Sequence, residues 1–97
     1  MFLEHRLNDD ESLRYVLTTQ LIEHSLTVAS TYLQPHQSTR GHSHPNPENY
    51  FFHSDCILKL DDEEIEIKAP QHIHIQPNVF HQVFNPSDNI VAFTCTY

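Results

Sequence analysis

Apolar and polar residues alternate along most of the chain, the two-residue period of a strand with one buried face. Residues 64–68 show it most strictly: Ile65 and Ile67 fall on one side, Glu64, Glu66 and Lys68 on the other. Residues 72–76 repeat the scheme, with Ile73 and Ile75 opposite His72, His74 and Gln76. Residues 25–33, rich in Thr, Val and Tyr, also read as a strand, as do 48–53, 56–60, 80–84 and 90–97. Pro70, Pro77 and Pro86 punctuate the series, and Asp61-Asp62 suits a tight hairpin turn. Residues 11–26 fit a helix through Leu13, Val16, Leu17 and Leu21, or a strand through Leu13, Tyr15 and Leu17; Thr18-Thr19 tips the balance toward strand. Many short strands between turn signals predict an all-β sandwich or barrel.

Length makes this one small domain, 97 residues with 38% apolar composition, enough for a thin core. Residues 1–24 read as an N-terminal extension or edge strand and 25–95 as the body of the domain. Open sheet edges and a thin core both favour association, so a homodimer is expected. The net charge is −8, with 13 acidic and 5 basic residues and no basic cluster, which argues against nucleic acid and anionic membranes as partners. The acidic runs Asp9-Asp10-Glu11 and Asp61–Glu64 read as solvated turns or faces. No apolar run is long enough to span a membrane, and the first residues lack signal-peptide anatomy, so a cytoplasmic location is expected. In that compartment Cys56 and Cys95 read as two thiols, not a disulfide. A single glycine is unusual for a turn-rich β fold; Asp55, Asp61-Asp62, Asn78 and Asp88-Asn89 occupy candidate turns instead.

Nine histidines are the compositional outlier. His42 and His44 stand two apart, so on an extended segment both imidazoles point the same way. Glu48 follows a Pro-Asn-Pro turn at the start of a strand, and His81 sits just inside a later strand after a Pro-Asn turn. If the two segments are neighbours, three imidazoles and a carboxylate meet. That donor set suits Mn, Fe, Co, Ni, Cu or Zn and does not suit Ca or Mg. An octahedral ion held this way keeps two positions open for substrate, water or dioxygen.

These residues resemble the two motifs of the cupin family. Residues 36–55 match the first, with His42, His44 and Glu48 on its ligand positions; residues 71–85 match the second, with His81 as ligand and Asn85 as its terminal Asn. The resemblance covers roughly residues 25–95 and implies a double-stranded β-helix, a small jelly-roll barrel of two facing antiparallel sheets. Family glycines are replaced by His36, Asp55, Gln71 and Asn78; Asp55 and Asn78 suit left-handed turns better than His36 and Gln71.

Parity from Glu48 puts Tyr50 and Phe52 on the inner face, and parity from His81 adds Val83, so these are expected to wall a pocket. His53, His72 and His74 are expected outside the barrel, while His5, His24 and His36 belong to no constellation. Arg40, just before the first motif, is a candidate for an anionic substrate but reads more simply as a solvated side chain. Resemblance to cupins implies a metal-dependent enzyme acting on a small oxygen-rich substrate such as a sugar, keto acid or enol, by isomerisation or oxygenation. Glu48, released from the metal as a base, and the Tyr50 phenol are the candidate catalytic groups. The alternative is a non-catalytic small-molecule-binding module whose metal is mainly structural.

Overall fold

The computed structural model describes residues 2–6, 13–20 and 25–97, with side chains from residue 26 onward. Among these residues there is no helix, and the strands are β1 (Phe2–Arg6), β2 (Leu13–Gln20), β3 (Ser25–Leu33), β4 (Glu48–Phe52), β5 (Cys56–Leu60), β6 (Glu63–Ile67), β7 (Gln71–Ile75), β8 (His81–Phe84) and β9 (Val91–Thr96). The ambiguous N-terminal segment is therefore strand over 13–20. Asp9-Asp10-Glu11, His24 and the side chain of His5 lie outside the described residues.

All pairings are antiparallel and form two sheets, one in the order β1-β2-β3-β9-β4-β7 and one in the order β6-β5-β8. Strand alternation becomes burial alternation. Glu48, Tyr50 and Phe52 of β4 are buried while Asn49 is half-buried and Phe51 exposed; β9 buries Val91, Phe93 and Cys95. The inward side chains of both sheets share one core, in which Leu33, Phe52, Leu58, Ile67, Ile75 and Val83 are almost wholly enclosed. Burying such side chains is the main favourable term available to a domain of this size.

The chain between β3 and β4 runs alongside β8 without being a full strand. Thr39 N donates to Val83 O (2.9 Å), Asn85 N to Gln37 O (2.9 Å), and His42 and His81 exchange both main-chain hydrogen bonds (3.1 and 2.9 Å). This covers an edge that β8 would otherwise leave open. Asn85, fully buried, fastens the region. Its Nδ2 donates to the carbonyls of Leu33, Gln34 and Asn89, and its Oδ1 accepts from the amide and hydroxyl of Ser87.

Left-handed turns fall partly where the sequence suggests. Among the described non-glycine residues, positive φ occurs at His36 (62°), Asp61 (51°) and Asn78 (65°). Asn78 agrees with expectation; Asp55 and Gln71 do not take this conformation, and His36 does. His36 is third in a turn closed by Gln37 N to Gln34 O, the position that takes φ > 0 in a type II turn. Asp55 is used through its side chain instead, accepting from Ala69 N at 2.8 Å and so tying two loops together.

Cys56 and Cys95 are both buried and form no disulfide. Burial, reinforced by the nearby Asp55 carboxylate, pushes the Cys56 thiol up to about 12. Only thiolates react readily, so Cys56 is expected to resist a disulfide reagent at pH 8 until the chain unfolds. The unfolded chain sheds this proton at about 9.0 while the folded one holds it, so Cys56 costs the fold stability as pH rises from there toward 12. A melting temperature that falls less steeply over this range in Cys56→Val than in the parent checks this.

Candidate metal centre

Three separate stretches of backbone deliver the candidate ligands. His42 and His44 lie on the segment beside β8, Glu48 opens β4, and His81 opens β8. The reciprocal His42–His81 bonds place those two residues side by side, and Asn78 N donates to His44 O at 2.7 Å, pinning the far end of the segment to the turn before β8. Each of the four residues offers a ligand atom, and these atoms lie within 4.8 Å of one another. The three imidazole centroids are 4.5–5.1 Å apart.

The lone glycine explains how the segment gets so close. Gly41 has φ +76°, and a Cβ there would meet Phe80 Cζ at 2.5 Å and Gln82 Cβ at 3.1 Å. Both the backbone conformation and the space exclude a side chain, immediately before the first ligand. Gly41→Ala is expected to push His42 off its bridge to His81 and to weaken metal affinity at least tenfold, measured by competition with a chromophoric chelator.

Hydrogen bonding in the cluster is incomplete in an informative way. His44 Nε2 donates to Glu48 Oε1 at 3.0 Å. His81 Nδ1 lies 3.0 Å from Val79 O, and a carbonyl only accepts, so that nitrogen carries the proton. That leaves Nε2 as the nitrogen free to act as a ligand, and it faces Glu48 Oε2, 3.7 Å away. His81 Nε2 and His44 Nδ1 are buried with no hydrogen-bond partner among the described residues. Glu48 and His81 are only 3% and 2% exposed. A buried acceptor nitrogen that faces a carboxylate and has no donor of its own is costly. A cation between them removes the cost, and a backbone carbonyl on the far nitrogen is the usual way a ligating histidine is oriented. The residues therefore fit a transition-metal ion.

A cleft of about 150 Å³ adjoins the cluster, lined by His42, His44, Asn46, Glu48, Tyr50 and Tyr97. Tyr50 is 6% exposed and stands between the site and the core, its ring 5.6 Å from that of His81 and stacked on Phe93 at 5.5 Å. Phe52 and Val83 do not line the cleft. They face inward as parity indicates, but two residues farther along their strands, about 7 Å deeper, they belong to the core. Arg40 is exposed and outside the lining. His53, His72 and His74 are exposed; His72 and His74 both donate to Asn49 Oδ1, and His53 bonds Thr94.

Sequence reasoning did not find Asn46 or Tyr97. Asn46 lies inside the Pro-Asn-Pro turn between ligands, a position from which it could have been suspected. Tyr97 carries no local signal, because it reaches the cleft only through the pairing of β9 with β4, where Thr96 stands opposite Asn49.

No family model matches the chain, and no curated protein matches it. Solved structures do. A cupin 2 conserved barrel domain protein from Salinispora arenicola superposes with TM-score 0.78 at 19% identity, over 94% of this chain and 77% of the other. One from Rhodopseudomonas palustris gives 0.79 at 10% identity, over 99% and 69%. A Thermotoga maritima protein described as a predicted oxalate decarboxylase gives 0.74 at 14% identity, over 99% and 90%. At such identities the likeness concerns architecture. The fold is that of a single-domain cupin barrel, with His42, His44, Glu48 and His81 gathered into a group that could hold a metal ion.

Proposed function

We propose that the chain binds one divalent transition metal (Mn, Fe, Co, Ni, Cu or Zn) through His42, His44, Glu48 and His81, and uses it on a small oxygen-rich molecule. The observation that carries this reading is the bare, buried His81 Nε2 aimed at the Glu48 carboxylate, with Nδ1 already committed to Val79 O. Such an ion supplies Lewis acidity toward a carbonyl or enol, or activates dioxygen. The chain's own groups do the rest. Tyr50 and the aromatic rings beneath it close the inner end of the cleft to water, and Tyr97 flanks its outer end, 6.4 Å from the His44 ring. Glu48 can take a proton from a carbon beside a carbonyl, and the Tyr50 phenol can hold or return one at the substrate oxygen.

Isomerisation or oxygenation of a sugar, keto acid or enol is the chemistry this arrangement serves. Dioxygen uptake and product formation across keto and enol compounds, with the protein loaded in turn by each metal, test it. Tyr50→Phe is expected to lower turnover about 100-fold while leaving metal content unchanged. Metal-loaded protein that turns over nothing, yet is strongly stabilised by the ion, would establish the second reading, a binding module with a structural metal. The buried orphan nitrogens favour that reading too, since an ion that satisfies them stabilises the fold whether or not it catalyses. A cytoplasmic setting is part of the proposal, and two buried cysteines outside any disulfide fit it. No helix among the described residues is long and apolar enough to cross a membrane.

A further inference from the structure

We propose, resting on the metal reading above, that the site accepts neutral or singly charged oxygen chelators and rejects dianions such as oxalate. The charges lining the cleft carry the argument. Among the described residues the lining holds one carboxylate, Glu48, and no Lys or Arg. Arg40 is exposed and outside it, and Lys59 lies over the Phe80 ring on the other sheet. A divalent ion on three neutral imidazoles and one carboxylate leaves a single positive charge. A bound monoanion neutralises it. A dianion leaves a net negative charge beside a carboxylate that is 3% exposed, in a chain of net charge −8 and in a lining that holds no guanidinium or ammonium among the described residues. An uncompensated charge in such surroundings is strongly disfavoured. The volume of the cleft, which is open at its outer end, sets the size. About 150 Å³ is the space that takes a benzene-sized molecule, roughly six non-hydrogen atoms.

Oxamate and oxalate test this directly, because they match in shape and differ by one charge, and oxalate is the stronger chelator of a free divalent ion. The protein is loaded with Co(II), whose visible bands report ligand exchange, and each anion is titrated in, with bound cobalt counted after gel filtration to detect stripping. Oxamate is expected to bind at least tenfold more tightly than oxalate, and Glu48→Gln, which returns one positive charge, to shift the preference back toward oxalate. Oxalate binding as tightly as oxamate to the native chain overturns the inference while leaving the metal site standing. Absence of any Co(II) spectrum overturns the metal reading and the inference together.

A different observation carries a second inference. Across β3, β4, β7 and β9 the sole Asp, Glu, Lys or Arg is Glu48, and it faces inward. The outward face of four adjacent strands is thus free of these charges in a chain that has 13 acids, whereas β5 and β6 carry Lys59, Glu63, Glu64 and Glu66. Leu26, Tyr32 and Phe51 are exposed on this face, and the row Ser30–Thr94–Phe51–His72 crosses its middle. We infer that the face pairs with a second copy of this chain. Two molecules of charge −8 repel unless they meet where neither presents its carboxylates, and this face is such a place. Four strands about 4.8 Å apart, with 9, 5, 5 and 6 residues, give roughly 400 Å² in projection. Side-chain relief brings that toward the ~800 Å² per partner of a stable complex.

Sedimentation equilibrium is expected to find a dimer. Phe51→Glu and Tyr32→Glu, which place two like charges across a two-fold axis, should each raise its dissociation constant at least 100-fold. Lys59→Glu on the opposite sheet should leave it unchanged. A parent protein that stays monomeric at high concentration, or a folded Phe51→Glu variant that dimerises as tightly as the parent, overturns the assignment.

Discussion

Replacing His81 with alanine is expected to abolish metal binding. The parent should carry about one equivalent of a transition metal by mass spectrometry and the variant none, even after reloading. The loss has two parts. A ligand is removed, and so is the residue whose Nδ1 bond to Val79 O fixes its ring against Glu48. Stability should follow. An ion present at 100 times its dissociation constant adds about 2.7 kcal/mol to the folded state. In a domain of this size that is a rise of roughly 10–20 °C in melting temperature. The parent should show that rise and His81→Ala should not. Acid should reverse it in the parent, because protons compete for the imidazole and carboxylate lone pairs. A variant that still binds one equivalent with unchanged thermal shift would remove His81 from the site.

Asn85→Leu should be the most damaging substitution away from the ligands. Leucine has similar bulk, so the loss is one of hydrogen bonding alone. Carbonyls of Leu33, Gln34 and Asn89 lose a buried donor, and Ser87 loses its acceptor. Gln34 O keeps the Gln37 amide and Asn89 O keeps the Ser87 hydroxyl, so at about 1 kcal/mol for each remaining group the cost is about 2–3 kcal/mol, still a large share of the stability of any small domain. Urea unfolding of the metal-free protein measures it without contribution from the ion. A midpoint close to that of the parent would show that the loops are held elsewhere.

Much of the barrel was legible because strand alternation survives even where polar residues take inward positions. Glu48 and His81 break the apolar rule but not the period, so their parity still led to Tyr50, Phe52 and Val83 facing inward. The common direction of His42 and His44 was legible for the same reason, since a His-x-His on extended backbone needs no tertiary information, whereas His81 joins the candidate group only if its strand is a neighbour, as the resemblance to the cupin motifs implies. Depth was not legible. Parity gives the face a residue occupies, not its distance along the barrel, so it cannot separate Tyr50, which lines the cleft, from Phe52 and Val83, which belong to the core. Turn chemistry was partly misread because a residue such as Asp serves a turn in two ways: Asp61 through its backbone conformation, Asp55 through its carboxylate. Tyr97 was out of reach, because only sheet order brings it to the cleft.

The way the ligand segment is fastened has a consequence for how such a protein changes over generations. His42 and His44 are held by main-chain bonds, His42 to His81 and His44 to Asn78, which any residue other than proline can make in their place. The scaffold thus separates where a donor stands from what that donor is. A single base change in codon 42 or 44 can exchange imidazole for the carboxylate of aspartate without moving the backbone that presents it. The donor set offered to the proposed ion can therefore drift by point mutation while the barrel stays as it is.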